Sequence, residues 1–204
     1  MNKVNHIKKL TDNKHLNLFE LDAADSNGRP FQYYLASRSK EIENLKITTK
    51  SQSANGVIIY SVYGERRDRI VLVRQYRYPI DAYIYEFPAG LVEEGEDFRE
   101  AGIRELKEET GLELEIIDVS EIYERPYFTS IGMTDESCGT VYGYARGTPN
   151  ILGLEDSEEL EVVLADRQEV KRILREERVS IFCAYMLMHF IESEADPLTF
   201  LTTK

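Results

Sequence analysis

The sequence predicts an α/β sandwich preceded by an N-terminal β-hairpin. Three features carry that expectation. Runs of β-branched and aromatic residues recur between turn signals through most of the chain. One strongly charged helical pattern, over 97–110, interrupts them. Two further helical patterns, over 166–176 and 181–192, close the chain. Strands followed by helices, with one helix among the strands, fit helices layered on a sheet.

Residues 1–14 are polar and read as a frayed end. Leu16, Leu18 and Phe19 open a strand, and Ser26-Asn27-Gly28-Arg29-Pro30 is a turn signal. Phe31 to Arg38 then returns as the second strand of a hairpin. A hairpin buries little by itself, so it must pack on the main domain or on a second copy of the chain. Ser39 to Asn55 reads as a connector with one strand over Leu45 to Thr49. Strands are expected over Val57–Tyr63, Ile70–Tyr76 and Tyr83–Phe87, the first two separated by a polar turn at 64–68. After the charged helix come strands over Leu112–Tyr123, Val141–Ala145 and Leu160–Leu164. The helix over 166–176 shows Val170, Ile173 and Leu174 on one face. Ser180 reads as the cap of the last helix, with Ile181, Ala184, Tyr185 and Met188 as its apolar face. The division expected is a hairpin and dimerisation segment, 1–52, and a main domain, 53–204.

Composition narrows the function. A net charge of -12 argues against a general nucleic-acid binder, yet leaves room for a small anionic substrate held by local arginines and a metal. Two cysteines without close spacing give neither a disulfide framework nor a zinc knuckle. Three scattered histidines do not form a metal site. Residues 1–20 lack the apolar stretch of a signal peptide, and the longest apolar run, Ile181 to Ile191, is too short to span a bilayer. The expectation is a cytoplasmic protein with no membrane or nucleic-acid partner. Cys138, Cys183 and His189 read as packing or idle residues.

The chemistry gathers between Glu86 and Leu112. Glu105, Glu108 and Glu109 stand at i, i+3 and i+4, so one helical face carries three carboxylates. Their mutual repulsion calls for a cation, and an all-oxygen donor set suits a hard divalent ion such as magnesium. Gly90, free of a Cβ, permits a sharp turn after the strand that ends in Glu86-Phe87-Pro88-Ala89. Gly111 stands where a helix wants its C-terminal glycine, and Arg104 can pair with Glu96 or Glu100.

The spacing of these residues resembles the Nudix box at every defined position: Gly90, five residues, Glu96, seven residues, Arg104-Glu105-Leu106, one residue, Glu108-Glu109, one residue, Gly111-Leu112. The resemblance implies a Nudix fold, an α/β/α sandwich with a mixed sheet, and hydrolysis of a nucleoside diphosphate linked to another moiety. It assigns Glu105, Glu108, Glu109 and the Ala89 carbonyl to the metal, magnesium or alternatively manganese. Gly90, Glu96 and Arg104 become the support of that site.

The flanks are similar to ADP-ribose pyrophosphatases and related nucleotide-sugar hydrolases. Arg74-Gln75-Tyr76-Arg77 precedes the box, and Arg77 takes the place of a substrate-contacting arginine, whose fork reads phosphate or ribose oxygens. The same subgroup carries an N-terminal hairpin that packs on a partner subunit, which implies a homodimer through the N-terminal strands. Arg38 matches an arginine of that hairpin, and Tyr33 stands where a base-stacking tryptophan would be. The chain has no tryptophan, so Phe19 and Tyr33 are the aromatic candidates. Substrate contacts are thus expected from Arg77, Arg38, Tyr33, Phe19, Glu86 and Met133.

The stretch from Phe128 to Glu136 resembles the loop that brings the general base, with Glu136 in that position and Asp135 as the alternative. Catalysis would rest on Glu136, Glu109 and Glu108. A proline that marks ADP-ribose hydrolysis in this subgroup is here Ile131. The substrate implied is ADP-ribose, cleaved to AMP and ribose 5-phosphate. Another nucleotide sugar, such as GDP-mannose or ADP-glucose, is the rival substrate, and a domain that binds ADP-ribose without cleaving it is the rival from another class.

Overall fold

Along Asn17–Ala24 every second residue points inward, so Asn17, Phe19, Leu21 and Ala23 are buried. That period of two is what a half-buried strand requires. The computed structural model describes residues 3–154, 159–193 and 196–201. In chain order the strands are β1 (Val4–Lys9), β2 (Asn17–Ala24), β3 (Pro30–Ser37), β4 (Gly56–Tyr63), β5 (Arg69–Arg77), β6 (Ala82–Glu86), β7 (Ala89–Leu91), β8 (Glu113–Ile116), β9 (Tyr127–Phe128), β10 (Ser137–Arg146) and β11 (Leu160–Ala165). The helices are α1 (Lys46–Thr49), α2 (Phe98–Thr110), α3 (Glu121–Glu124), α4 (Arg167–Glu176) and α5 (Ile181–Glu192).

The chain divides into two compact units. One joins residues 1–55 to 126–138; the other joins 56–125 to 139–204. The first holds an antiparallel sheet in the order β1-β2-β3. Phe19, Leu21, Leu35 and Leu45 form its core, with Val4, Ile7, Ile42 and Ile47 against them. Burying each such side chain contributes roughly 1.5–3 kcal/mol.

Two expectations fail in this unit. Residues 4–9 are not a frayed end: they pair with β2 as a third strand, because β2 offers a free edge that a polar alternating strand can cover. Leu45 to Thr49 is not a strand but the short helix α1, preceded by the fully buried Leu45 and ended by Lys50 at φ 57°.

The second unit is the expected α/β/α sandwich. Its sheet runs β11-β5-β4-β10-β8, with β6 on β5 and β7 on β4. Strand alternation divides its core in two. Val57, Ile59, Val71, Val141 and Ala145 face Ala101, Leu106 and Leu112 on the α2 side. Tyr60, Val62, Ile70, Leu72, Tyr85 and Tyr142 face Val170, Ile173, Cys183, Leu187 and Phe190 of α4 and α5. Val170 and Ile173 are buried as expected.

Three readings are corrected here. The strand expected over Leu112–Tyr123 stops at Ile116, and α3 follows because Tyr123 turns in to pack on the rings of Tyr142 and Phe200. Helix α5 buries Cys183, Leu187 and Phe190 and leaves Ile181, Tyr185 and Met188 outside. The helix is apolar nearly all round, so periodicity could not choose the face. Ser180 does occupy the N-cap position of α5, but its side chain makes no capping bond.

Candidate active site

Helix α2 is fastened at both ends by its own sequence. The Asp97 carboxylate accepts from the Arg99 N–H at 2.9 Å, and Gly111 closes the helix at φ 70°. Ala101, Leu106 and Thr110 are buried. With that face fixed on the sheet, Glu109 is carried inward to 2% exposure. The Glu105 side chain is largely covered and that of Glu108 is open.

The strand before the helix meets these carboxylates directly. The Ala89 N–H donates to Glu109 Oε2 at 3.2 Å. A Cβ built on Gly90 would lie 1.9 Å from Glu105 Cδ. Gly90 therefore serves close approach rather than the sharp turn expected of it. It lies within β7 paired to Val57, and the Glu105 carboxylate fills the space a side chain would take.

Arg104 ties loop and helix together as expected. Its Nε and Nη2 donate to the two oxygens of Glu96 at 3.0 Å, and Nη2 also to the Leu91 carbonyl at 3.1 Å. Nη1 donates to Glu105 Oε1 at 2.9 Å and Glu108 Oε2 at 3.1 Å. The Arg104 hydrogen bond, helped by the Glu93 N–H, holds the Glu96 carboxyl below its ordinary range. In return Glu96 keeps Arg104 more firmly protonated than an ordinary arginine.

By chemistry the donor set fits a hard divalent ion: three carboxylates on one face, one of them buried. By geometry, no cluster of three or more His, Cys, Asp or Glu side chains converges for a metal among the described residues. The Arg104 guanidinium stands between Glu105 and Glu108.

Strand parity places the two candidates on the neighbouring hairpin. Val71, on the α2 side, is followed at even spacing by Gln75 and Arg77, so Arg77 lies on that side. Glu86 pairs with Val73 and shares it. The two side chains bond each other, Arg77 Nε to Glu86 Oε2 at 2.6 Å. Arg74 has the opposite parity. It lies over the Tyr83 ring and pairs with Glu161 on the α4 and α5 side.

The remaining candidates belong to the first unit. Phe19 is fully buried in its core, so it is not the base-stacking residue; the alternation of β2 turns it inward. Tyr33, on the same sheet, is 42% exposed, and its hydroxyl donates to the Gly132 carbonyl at 2.5 Å. Tyr33 and Met133 line an apolar cavity of about 470 Å³ with Leu21, Leu35, Phe128 and Ile131. Arg38 Nε donates to Glu136 Oε1 at 2.9 Å, and Thr129 Oγ1 to Glu136 Oε2 at 3.3 Å. Asp135 accepts from the Lys46 N–H at 3.2 Å, a bond that ties it to the start of α1.

Two residues escaped the sequence reading. Lys46 Nζ is held by the Ser53 carbonyl and the Ser137 hydroxyl and lies over the Phe128 ring. Burial lowers its pKa against the opposing pull of Asp135. Its partners are far apart in sequence, so no local signal marked it. Asn150 packs its amide against Gly111 at the end of α2, and its N–H donates to the Thr110 carbonyl at 2.9 Å. Cys138 is a spectator thiol, pushed up to about 11 by burial.

The profile of the NUDIX domain matches residues 52–184. The chain belongs to the Nudix family. Among its relatives is the "ADP-ribose pyrophosphatase" of Saccharomyces cerevisiae, 31% identical over 76% of this chain and 66% of that protein. Another is the "Methanol dehydrogenase activator" of Bacillus methanolicus, 35% identical over 55% of this chain and 59% of that one. The chain thus spans under two thirds of either relative. A crystal structure of an "ADP compounds hydrolase" superposes with TM-score 0.60 at 20% identity, covering 85% of this chain and 82% of that one, and supports the Nudix fold.

Proposed function

We propose that this Nudix protein is a divalent-metal-dependent pyrophosphatase that hydrolyses ADP-ribose, or a related nucleoside diphosphate sugar, at the diphosphate. One observation carries the reading: a complete Nudix box whose carboxylate helix packs directly on Gly90 and Ala89. The name of the yeast relative supports the substrate class. Ile131, in place of the marker proline, favours keeping another nucleotide sugar, such as GDP-mannose or ADP-glucose, as the second reading.

In this reading Glu105, Glu108 and Glu109, with the Ala89 carbonyl, hold magnesium, or manganese in its place. Such an ion neutralises phosphate oxygens and lowers the pKa of a bound water. Glu108 and Glu109 are joined in catalysis by Glu136, which takes the proton of the attacking water. Arg77, steadied by Glu86, offers its fork to the phosphate or ribose oxygens. Tyr33 supplies a ring face for the base, Arg38 a second cation and Met133 an apolar contact. Residues 1–52 act as a dimerisation segment of a cytoplasmic homodimer, and 53–204 as the catalytic domain.

The test is release of AMP from ADP-ribose with magnesium, wild type against Glu109→Gln. Losing one carboxylate ligand is expected to lower kcat/KM by about a hundredfold or more. A panel of nucleotide sugars in the same assay ranks the substrates. A wild type that turns over no diphosphate would remove the enzyme reading.

A further inference from the structure

All five N–H donors of Arg104 are engaged, and they divide into two sets. Three, on Nε and Nη2, hold Glu96 and the Leu91 carbonyl. Two, on Nη1, reach Glu105 and Glu108, two of the carboxylates assigned above to the metal. The first set fastens the loop over 91–96 to the helix. The second has no fastening role, because Glu105 and Glu108 lie on the same helix as Arg104 itself. What the Nη1 arm supplies is positive charge between two carboxylates that would otherwise repel.

We propose that the Nη1 arm of Arg104 is an internal competitor of the divalent ion: it neutralises Glu105 and Glu108 itself and thereby sets how tightly the ion binds. The proposal rests on the metal reading of this helix. An ion that takes Glu105 Oε1 at about 2.1 Å lies within about 5 Å of Nη1, which is 2.9 Å from the same oxygen. Two cationic centres so close oppose each other even when partly screened. The ion must therefore displace the arm or bind against its charge. The Glu96 fork bears on the outcome, since it holds Nε and Nη2 toward the loop and shares the guanidinium charge with the helix carboxylates.

The two halves of the Arg104–Glu96 pair should then act in opposite directions on metal affinity. Manganese binding is measured by titration calorimetry on wild type, Arg104→Gln and Glu96→Gln, with thermal midpoints in and out of manganese. Arg104→Gln is expected to bind manganese about threefold tighter or more, and to gain more in Tm from it than wild type. Glu96→Gln frees the guanidinium to lean on Glu105 and Glu108, and is expected to bind more weakly. A pair that only fastened the loop would loosen the site in both variants; weaker binding by both overturns the proposal. If Arg104→Gln does not fold, Glu96→Gln still exposes the proposal to refutation, since equal or tighter binding there contradicts the competition. A wild type and variants that all fail to bind manganese would overturn the metal reading itself, and this role with it.

Discussion

Gly90 and Glu105 share one volume, and that makes the glycine a residue of the site rather than of the turn. An alanine there would place its Cβ 1.9 Å from Glu105 Cδ and 2.0 Å from Oε1. The carboxylate is the end of a flexible side chain and can move, so Gly90→Ala should cost only about 1–3 kcal/mol in a urea titration. The moved carboxylate leaves its place over Gly90, so kcat/KM on ADP-ribose should fall at least about tenfold. Full activity in Gly90→Ala would show that the position of Glu105 is immaterial. Glu136 is tested differently, since it is bonded to Arg38 and Thr129 and not to the box. Glu136→Gln keeps its shape and should lower kcat by about a hundredfold while KM stays similar. An unchanged kcat would move the base elsewhere. The need for glycine at position 90 was legible in the sequence, but its reason was not. The reason is a contact with a side chain fifteen places along, which only the fold brings against it.

Helix α2 is the element the sequence expresses most fully. Asp97 and Gly111 set its ends, Leu106 and Ala101 its buried side, and the glutamate spacing its functional side, and each of these is written in a pattern that repeats within four residues. Elements that depend on distant partners were less legible. Strand β1 needs the edge of β2, the inward turn of Phe19 needs a core beneath the sheet, and α5 chooses its buried face only against the strands. At the start of α2 the Arg104–Glu96 bond makes stability depend on pH. The folded carboxyl of Glu96 titrates below its unfolded value of about 4.3. Its contribution is therefore complete above that value and is lost as pH falls through the folded one. The thermal midpoint should decline below about pH 4.5, and Glu96→Gln should make that acid decline shallower. An identical acid limb in the variant would mean the pair adds nothing to stability.

At the scale of the molecule, the chain returns to its first unit after leaving it, and this was not legible in a division at residue 52. The segment over 126–138 is built into the N-terminal unit by specific bonds. Ala36 donates to the Met133 carbonyl at 2.9 Å, Asn55 to that of Ser137 at 2.7 Å, and Lys46 Nζ to the Ser137 hydroxyl. Asp135 receives the Lys46 N–H, and Arg38 holds Glu136. Apart from the Asn55 bond, every one of these partners lies within residues 1–52. A chain that begins at residue 53 keeps nearly the whole stretch that matches the NUDIX profile, 52–184, yet strips this segment of its ties to Ala36, Arg38 and Lys46 and leaves those to Ser53 and Asn55. Segments that lose most of their packing and part of their hydrogen bonding open at lower cost and are cut sooner by proteases. Chymotrypsin should therefore cleave the shortened chain at Tyr127 or Phe128 well before it cuts the full chain there, as read by mass spectrometry of a digestion series. The same truncation should lower kcat on ADP-ribose through Glu136, whose partner Arg38 is gone, while manganese binding by Glu105, Glu108 and Glu109 persists. Equal cleavage rates at 127–128 in the two chains would show that the segment holds its conformation alone and that residues 53–204 stand as a domain by themselves.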